Sequence, residues 1–166
     1  RGYMDRGALV PDELVTAIVL EALAAPAAAR GFVLDGFPRN PAQADALDGF
    51  LAERGTPLDG VVLLEVPEAE LVRRLTGRRV CPSCGATYNV HAEPPRRDEV
   101  CDRCGARLET RRDDDEATVR QRLRVYAEQT APLVERYERS GVPFHRVVGT
   151  GSVEEIEERL RRALGV

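Results

Sequence analysis

Residues 77–114 read GRRVCPSCGATYNVHAEPPRRDEVCDRCGARLETRRDD and contain all four cysteines of the chain. The cysteines form two Cys-x-x-Cys-Gly knuckles, Cys81/Cys84 and Cys101/Cys104, a spacing that favours a metal site over disulfides. Glycine after each second cysteine permits the tight turn that points backbone N–H groups at sulfur. The spacing therefore predicts that these four thiolates bind Zn²⁺, although a four-thiolate site also accepts iron.

The predicted metal is structural rather than catalytic. Four cysteines complete a tetrahedral shell and leave no coordination position for a reacting water. His91 lies between the knuckles, and we expect it at the surface because the shell is already full. The metal would hold together an insert that is too small to build its own core.

Arginines flank the knuckles on both sides, Arg78 and Arg79 before them and Arg111 and Arg112 after them. A guanidinium group binds phosphate in a planar, bidentate fork, so these positions favour a phosphate-binding cleft. The alternative is that they are ordinary solvated charges, since all 24 basic residues of the chain are arginine. Without lysine, these residues cannot contain a lysine-dependent phosphate loop.

The composition of the 166-residue chain is that of a globular protein, with 43% hydrophobic and 31% charged residues. Its net charge of −4 provides no general attraction to nucleic acid. No apolar run is long enough to span a bilayer, and metal-type cysteine pairs suit a reducing cytoplasm. We expect a cytoplasmic protein without a membrane or nucleic-acid partner. A zinc-ribbon nucleic-acid-binding module, or an interaction module without catalysis, is the alternative.

Helical and strand-like patterns alternate along the chain. Short apolar runs at 32–34, 60–66 and 143–149 predict buried strands. Predicted helices begin near Pro11, Pro41, Pro67, Asp114 and Ser152. The helix from Asp114 is predicted to run to about Arg139 with a kink at Pro132, and Ser152 with Glu155 predicts a capping box for the last helix. This order predicts an α/β fold with a mostly parallel sheet and helices on both faces. Asp35 follows the first predicted strand, and Arg39 projects from the next turn, at the edge where such sheets bind ligands.

Five segments together resemble the adenylate kinase family, in its long bacterial form with a zinc-bearing lid. They are ALVPDELV, GFVLDGFPRNPAQADAL, ELVRRLTGRRVCPSCG, TRRDDDEATVRQRL and VVGTGSVEEI, and they cover essentially the whole chain in the family's order. The resemblance implies a P-loop nucleoside monophosphate kinase type of parallel sheet, flanked by helices, with a small zinc-ribbon-like lid insert. It implies Mg²⁺-dependent transfer of the γ-phosphoryl group of ATP to AMP, which gives two ADP. We expect a monomer whose partners are ATP, AMP and ADP.

The resemblance also implies a domain organisation. Residues 1–10 would be the remnant of the nucleoside-monophosphate-binding segment. Residues 11–76 and 115–166 would form the core α/β domain, and residues 77–114 would form the zinc-binding lid.

On the AMP side, the resemblance implies that Arg39 holds the phosphate and Gln43 reads the adenine. The remaining residues implied to line the AMP pocket are Ala8, Leu9, Val10, Gly36, Phe37 and Pro38. Asp35 would orient water on Mg²⁺. Another nucleoside monophosphate kinase stays an alternative, although Gln43 favours adenine.

On the ATP side, the resemblance implies that Arg78 clamps the phosphates and Arg74 stacks on the adenine. The other residues implied to lie near ATP are Thr87, Tyr88 and Gly151. Arg111 and Arg122 would contact both nucleotides across the transferring phosphoryl group. The set implied to be catalytic is Arg39, Arg78, Arg111, Arg122, Asp113 and Asp114. The two aspartates would act in lid closure or as the hinge of the lid.

One departure concerns the glycine-rich phosphate loop with its lysine, which the family carries near its N-terminus. That loop does not occur in these residues. We therefore expect this chain alone to be inactive, as part of a longer active enzyme.

Overall fold

A computed structural model describes residues 11–111 and 113–166 of the chain. The described residues form two compact units. The first comprises the described residues up to Val61 together with Ala127–Phe144, and the second comprises Val62–Tyr126 together with His145–Val166. The second unit therefore contains the cysteine module together with the segments that flank it, whereas the domain boundaries drawn from the family resemblance stay a prediction.

Three α-helices build most of the first unit. Helix α1 spans Asp12–Ala24, α2 spans Pro41–Arg54, and α5 spans Pro132–Arg139, while a short 3₁₀ helix at Pro26–Arg30 follows α1. The α1 and α2 helices begin where the prolines predicted. Asn40 caps α2, because its side chain accepts a hydrogen bond from the backbone N–H of Gln43.

The core of the first unit lies between α2 and α5. Ala44 of α2 packs against Leu133 and Tyr137 of α5, and Leu58, Val61 and Phe144 cover this cluster. At the edge of the contact, the guanidinium of Arg136 binds Asp45 at 2.6 Å and Asp48 at 2.7 Å. These contacts hold α2 in place, and with it the polar residues at its N-terminus.

The prediction of a buried strand at residues 32–34 is wrong. These residues are not part of any strand, and the side chain of Val33 is 93% exposed. A strand requires hydrogen-bonded neighbours, and the part of the chain that the structure describes places no strand beside this run. Its apolar composition alone does not bury it.

Two parallel strands were predicted correctly. Strand β1 spans Val61–Glu65 and pairs with β4, Phe144–Val148. The backbone N–H of Val61 donates to the carbonyl of Pro143 at 2.8 Å, and that of Gly149 donates to Glu65 at 2.9 Å. Both strands therefore run in the same direction.

The second unit carries the remaining elements. Its α-helices are α3 (Glu68–Thr76), α4 (Glu116–Val125) and α6 (Val153–Leu164), and β2 (Arg78–Val80) pairs antiparallel with β3 (Thr87–Asn89). The capping box predicted for α6 is confirmed, because Ser152 and Glu155 exchange both hydrogen bonds.

The long helix predicted from Asp114 to Arg139 is divided in the structure. Helix α4 ends at Val125, a π-helix spans Tyr126–Thr130, and α5 begins at Pro132. Proline has no N–H to donate to the carbonyl four residues earlier, so an uninterrupted helix cannot run through this position. The α-helix is therefore interrupted before Pro132, the position at which the sequence predicts a kink.

Candidate functional site

The four cysteines form one cluster in the second unit. Their Sγ atoms all lie within 4.8 Å of one another. The distance is 3.4 Å between Cys81 and Cys104 and 3.6 Å between Cys84 and Cys101. Four sulfurs bound to one Zn²⁺ at about 2.3 Å would lie roughly 3.8 Å apart. The cluster thus matches a tetrahedral four-thiolate site in size and ligand chemistry.

Both knuckles close with the same backbone turn. The N–H of Gly85 donates to the carbonyl of Cys81 at 3.0 Å, and that of Gly105 donates to Cys101 at 2.8 Å. The two glycines have φ angles of 72° and 74°, in the left-handed region that a side chain would disfavour. The glycine after each knuckle is therefore required by the turn, as the sequence predicted.

Tyr88 contacts the cysteine cluster directly. Its hydroxyl accepts a hydrogen bond from the backbone N–H of Asp102 at 2.9 Å and donates to Cys101 Sγ at 3.4 Å. The Tyr88 hydroxyl lowers the pKa of the Cys101 thiol to about 6, and the backbone N–H of Cys84 lowers the pKa of Cys81. Lowered pKa values favour the thiolate form, which binds metal, at Cys81 and Cys101. By contrast, burial and hydrogen bonds to the other three thiols raise the pKa of Cys84 to about 12.

The two ends of the cysteine module are joined by an ion pair. Arg78, at the start of β2, donates from Nε to Asp114 Oδ2 at 2.7 Å and from Nη2 to Oδ1 at 2.5 Å. The Asp114 side chain is 0% exposed, and that of Arg78 is 26% exposed. Donation of these two hydrogen bonds to the Asp114 carboxylate raises the pKa of Arg78. Arg122 of α4 lies 3.2 Å from Asp113 and 3.7 Å from Asp114.

A cavity of about 310 Å³ lies beside this ion pair. Its walls come from α3, β2, β3 and the loop that follows. The lining residues are Arg74, Leu75, Arg78, Thr87, Tyr88, Asn89, Ala92 and Glu93. The structure therefore brings four of the five residues expected near ATP onto one cavity.

Arg74 connects this cavity to the loop after β4. Its Nε donates to Glu70 at 2.7 Å, and its Nη1 donates to the carbonyl of Gly149 at 2.9 Å. Gly149 lies two residues before Gly151, the fifth residue expected near ATP, which is not among the cavity lining. Arg159 of α6 donates to the carbonyls of Val148 and Thr150 in the same loop. Two arginines thus hold the loop by its backbone.

The turn at Asp35–Arg39 belongs to the first unit. Gly36 has a φ of 73°, and its carbonyl accepts a hydrogen bond from Arg39 Nε at 2.6 Å. A Cβ at Gly36 would lie 2.8 Å from Arg39 Nη2, so glycine leaves room for the guanidinium to fold back over the turn. The Phe37–Pro38 peptide bond is cis. The side chains of Asp35 and Arg39 are exposed at this surface.

Gln43 follows this turn in the first helical turn of α2. Its side chain is buried, with 4% exposure. Its Oε1 accepts a hydrogen bond from the backbone N–H of Arg39 at 2.7 Å, and its Nε2 donates to Asp12 Oδ1 at 2.8 Å. The Gln43 amide is therefore held between the turn at Asp35–Arg39 and the start of α1.

Comparison with known proteins assigns these features to one family. A family model described as Adenylate kinase matches residues 1–142. The chain is 54% identical to the adenylate kinase of Carboxydothermus hydrogenoformans over 162 residues, which are 98% of this chain and 75% of that protein. The chain belongs to the adenylate kinase family.

Two other adenylate kinases show the same relationship. The chain is 51% identical to that of Syntrophobacter fumaroxidans over 163 residues, or 98% of this chain and 76% of that protein. It is 46% identical to that of Thermotoga maritima over 162 residues, or 98% of this chain and 73% of that protein. The expected family, fold class and nucleoside monophosphate kinase function are thereby confirmed, and a non-catalytic nucleic-acid-binding module is not favoured. The expectation that this chain alone is inactive stays a prediction. Adenylate kinases use Mg²⁺ with ATP and bind ATP, AMP and ADP.

The residues expected to bind the two nucleotides do not all lie in one unit. Ala8, Leu9 and Val10 lie outside the described residues. Arg39 and Gln43 lie in the first unit, whereas Arg111 and Arg122 lie in the second. The implied contacts of Arg111 and Arg122 with both nucleotides therefore stay a prediction.

Three residues that support the predicted sites were not predicted: Asp12 and Asn40 contact Gln43, and Arg159 holds the loop that carries Gly151. Asp12 fits the acidic first turn of an ordinary helix, so its sequence position does not indicate that it binds Gln43. Asn40 could have been recognised from its position before Pro41, where an N-cap is typical. Arg159 carried no signal, because arginine is common throughout the chain.

Proposed function

We propose that ATP binds at the cavity of the second unit, with Arg78 on its phosphates and Arg74 against its adenine. The observation that carries this proposal is that Arg74, Arg78, Thr87 and Tyr88 line one cavity. The Tyr88 hydroxyl is already engaged by Cys101 and Asp102, so Tyr88 would contribute its ring or backbone. Gly151 would offer its carbonyl to the base from the loop that Arg74 and Arg159 hold.

AMP is proposed to bind at the turn before α2. Arg39 is exposed there and would take the phosphate, with Gly36, Phe37 and Pro38 forming the wall. Gln43 would read the adenine. The backbone of residues 8–10 is proposed to complete this pocket.

The phosphoryl group would pass between the two nucleotides with positive charge around its equatorial oxygens. Such transfer needs positioning and electrostatic stabilisation more than covalent help from the protein. Arg111 and Arg122 are proposed to supply that charge, together with Arg39 and Arg78. Mg²⁺ bound with ATP supplies further neutralisation of the phosphate charge, and Asp35 would orient water in its shell.

The cysteine module is proposed to be a zinc-stabilised lid. Cys81, Cys84, Cys101 and Cys104 would hold the ion, whose contribution is to stiffen a segment with a very small core. A stiff lid can move as one body and exclude water from the transfer step. Asp113 and Asp114 would act where the lid meets α4.

We further propose that the protein works in the cytoplasm as a monomer that binds no nucleic acid or membrane. The net charge of −4 and the metal-type cysteine spacing support this. Among the residues that the structure describes, no helix has the length and apolar character to cross a bilayer.

The ATP site can be tested with two neighbouring arginines in the full protein. Arg73 and Arg74 both bind Glu70, but only Arg74 lines the cavity. We expect Arg74→Gln to raise the KM for ATP about tenfold, as loss of a charged contact would, and to leave the KM for AMP within about twofold. Arg73→Gln is the matched control and should change neither. Equal effects of the two variants would refute the assignment.

A further inference from the structure

A chain of hydrogen bonds surrounds the amide of Gln43 in the first unit. Asp12 Oδ1 accepts from Gln43 Nε2, and Asp12 Oδ2 accepts from Asn40 Nδ2, both at 2.8 Å. Asn40 Oδ1 in turn accepts from the backbone N–H of Gln43 at 2.9 Å. The backbone N–H of Arg39 donates to Gln43 Oε1 at 2.7 Å. Asp12 is thus the point where α1 contacts both polar side chains at the start of α2.

These partners permit only one orientation of the Gln43 amide. A carboxylate can only accept hydrogen bonds and a backbone N–H can only donate. If the amide were flipped, its oxygen would face the carboxylate of Asp12, and its NH₂ group would face the N–H of Arg39. Both contacts would then be repulsive, and the side chain is too buried for water to replace them.

The orientation decides which base the amide can recognise. After binding Asp12 and Arg39, the Gln43 amide retains one N–H on Nε2 and one lone pair on Oε1. Adenine presents an amino donor at position 6 and an acceptor at N1. Hypoxanthine and guanine present the reverse, an oxygen acceptor at position 6 and an N1–H donor. An amide held in one orientation pairs with one of these patterns, whereas an amide free to flip pairs with either.

We propose that Asp12 is a specificity-determining positioning residue that selects 6-amino over 6-oxo purine monophosphates by holding the Gln43 amide in one orientation. The proposal rests on the proposed role of Gln43 as the residue that reads the adenine. Asp12 itself does not touch the nucleotide. Asn40 supports the arrangement because it engages the second carboxylate oxygen of Asp12.

The test compares AMP with inosine monophosphate, which differs from AMP in the purine at position 6 and in the proton at N1. The kcat/KM for each acceptor is measured in the full protein, with ATP as donor, for the wild type and Asp12→Ala. We expect Asp12→Ala to reduce the AMP to inosine monophosphate ratio of kcat/KM about tenfold, the scale of one charge-assisted hydrogen bond. The change should be in KM for the acceptor, with the KM for ATP unchanged.

Glu13→Gln is the matched control. Glu13 is the next residue of α1, is exposed, and makes no hydrogen bond to Gln43 or Asn40 among the described residues. It should leave the ratio unchanged. A purely structural role of Asp12 would lower kcat/KM for both acceptors equally, and that result would overturn the proposal.

Gln43→Leu distinguishes the proposed role of Asp12 from the proposed role of Gln43 in reading the adenine. If Gln43→Leu changes the acceptor ratio and Asp12→Ala does not, Gln43 reads the base without orientation by Asp12, and the inference fails alone. If Gln43→Leu leaves the ratio unchanged, the proposed role of Gln43 is wrong, and the inference fails with it. Melting temperatures of both variants confirm that each is folded under the assay conditions.

Discussion

Replacement of Arg78 by methionine tests the ion pair that joins the ends of the cysteine module. The side chain of Asp114 is 0% exposed and receives two hydrogen bonds from the Arg78 guanidinium. Methionine retains much of the aliphatic length of arginine but cannot donate a hydrogen bond. The variant therefore leaves a buried carboxylate whose principal partner has been removed.

The expected loss of unfolding free energy depends on which member of the ion pair remains. Removing one partner of a buried pair costs about 3–5 kcal/mol, because the remaining charge is uncompensated. Arg122 lies 3.7 Å from Asp114 and retains part of the compensation, so we expect about 3 kcal/mol for Arg78→Met. In Asp114→Leu the remaining group is Arg78, which is 26% exposed and can reach water. That variant should lose about 1–2 kcal/mol.

The free energy of unfolding is measured in guanidinium chloride by circular dichroism, with zinc at saturation and linear extrapolation to water. Arg79→Met is the control, since the Arg79 side chain donates only to the backbone carbonyls of Thr76 and Arg78 among the described residues. The Arg78→Met/Asp114→Leu double variant should be more stable than Arg78→Met alone, because it no longer buries the unpaired Asp114 carboxylate. If the losses of the two single variants simply add, or if Arg79→Met is as damaging as Arg78→Met, the reasoning is refuted.

Two further predictions concern the AMP-side turn and the metal. Gly36→Ala should raise the KM for AMP several-fold in the full protein, because its Cβ would lie 2.8 Å from Arg39 Nη2. Gly55→Ala is the control, since Gly55 has a similar φ of 62° and no atom within 4 Å of its Cβ among the described residues. It should lower the free energy of unfolding by about 1 kcal/mol without changing the KM for AMP. Cys101→Ser should reduce bound zinc to well below one equivalent per chain, measured by elemental analysis after dialysis, and should lower the melting temperature of the lid. Retention of one zinc per chain would exclude the four-cysteine site.

The features predictable from the sequence were those with a local physical cause. Proline at helix starts, the Ser152/Glu155 capping box and the knuckle glycines each depend on residues within one turn, and each is found in the structure. The cysteine cluster was also predictable, although its halves are distant in sequence. Paired cysteines have few uses other than metal binding in a chain of this composition, so their spacing carries the long-range information by itself.

The failures of prediction share a non-local origin. The apolar run at 32–34 has strand composition, but strand formation depends on a neighbour that no local pattern specifies, and Val33 is 93% exposed. The contact of Asp12 with Gln43 depends on how α1 packs against α2, across 31 positions of sequence. The role of Arg159 in holding the loop after β4 was hidden because every basic residue of the chain is an arginine.

The ion pair of Arg78 with Asp114 also bears on whether Arg78 can make the proposed contact with ATP phosphates while it is bound to Asp114. A guanidinium group has five N–H donors in a rigid plane, and Asp114 takes two of them, from Nε and Nη2. Both N–H groups of Nη1 and one of Nη2 are left outside this pair, and Arg78 lines the cavity proposed for ATP. Because the carboxylate is buried and bidentate, it determines the plane of the guanidinium before any phosphate arrives. The ion pair is therefore compatible with the proposed phosphate contact, and Asp114 would support that contact by orienting Arg78.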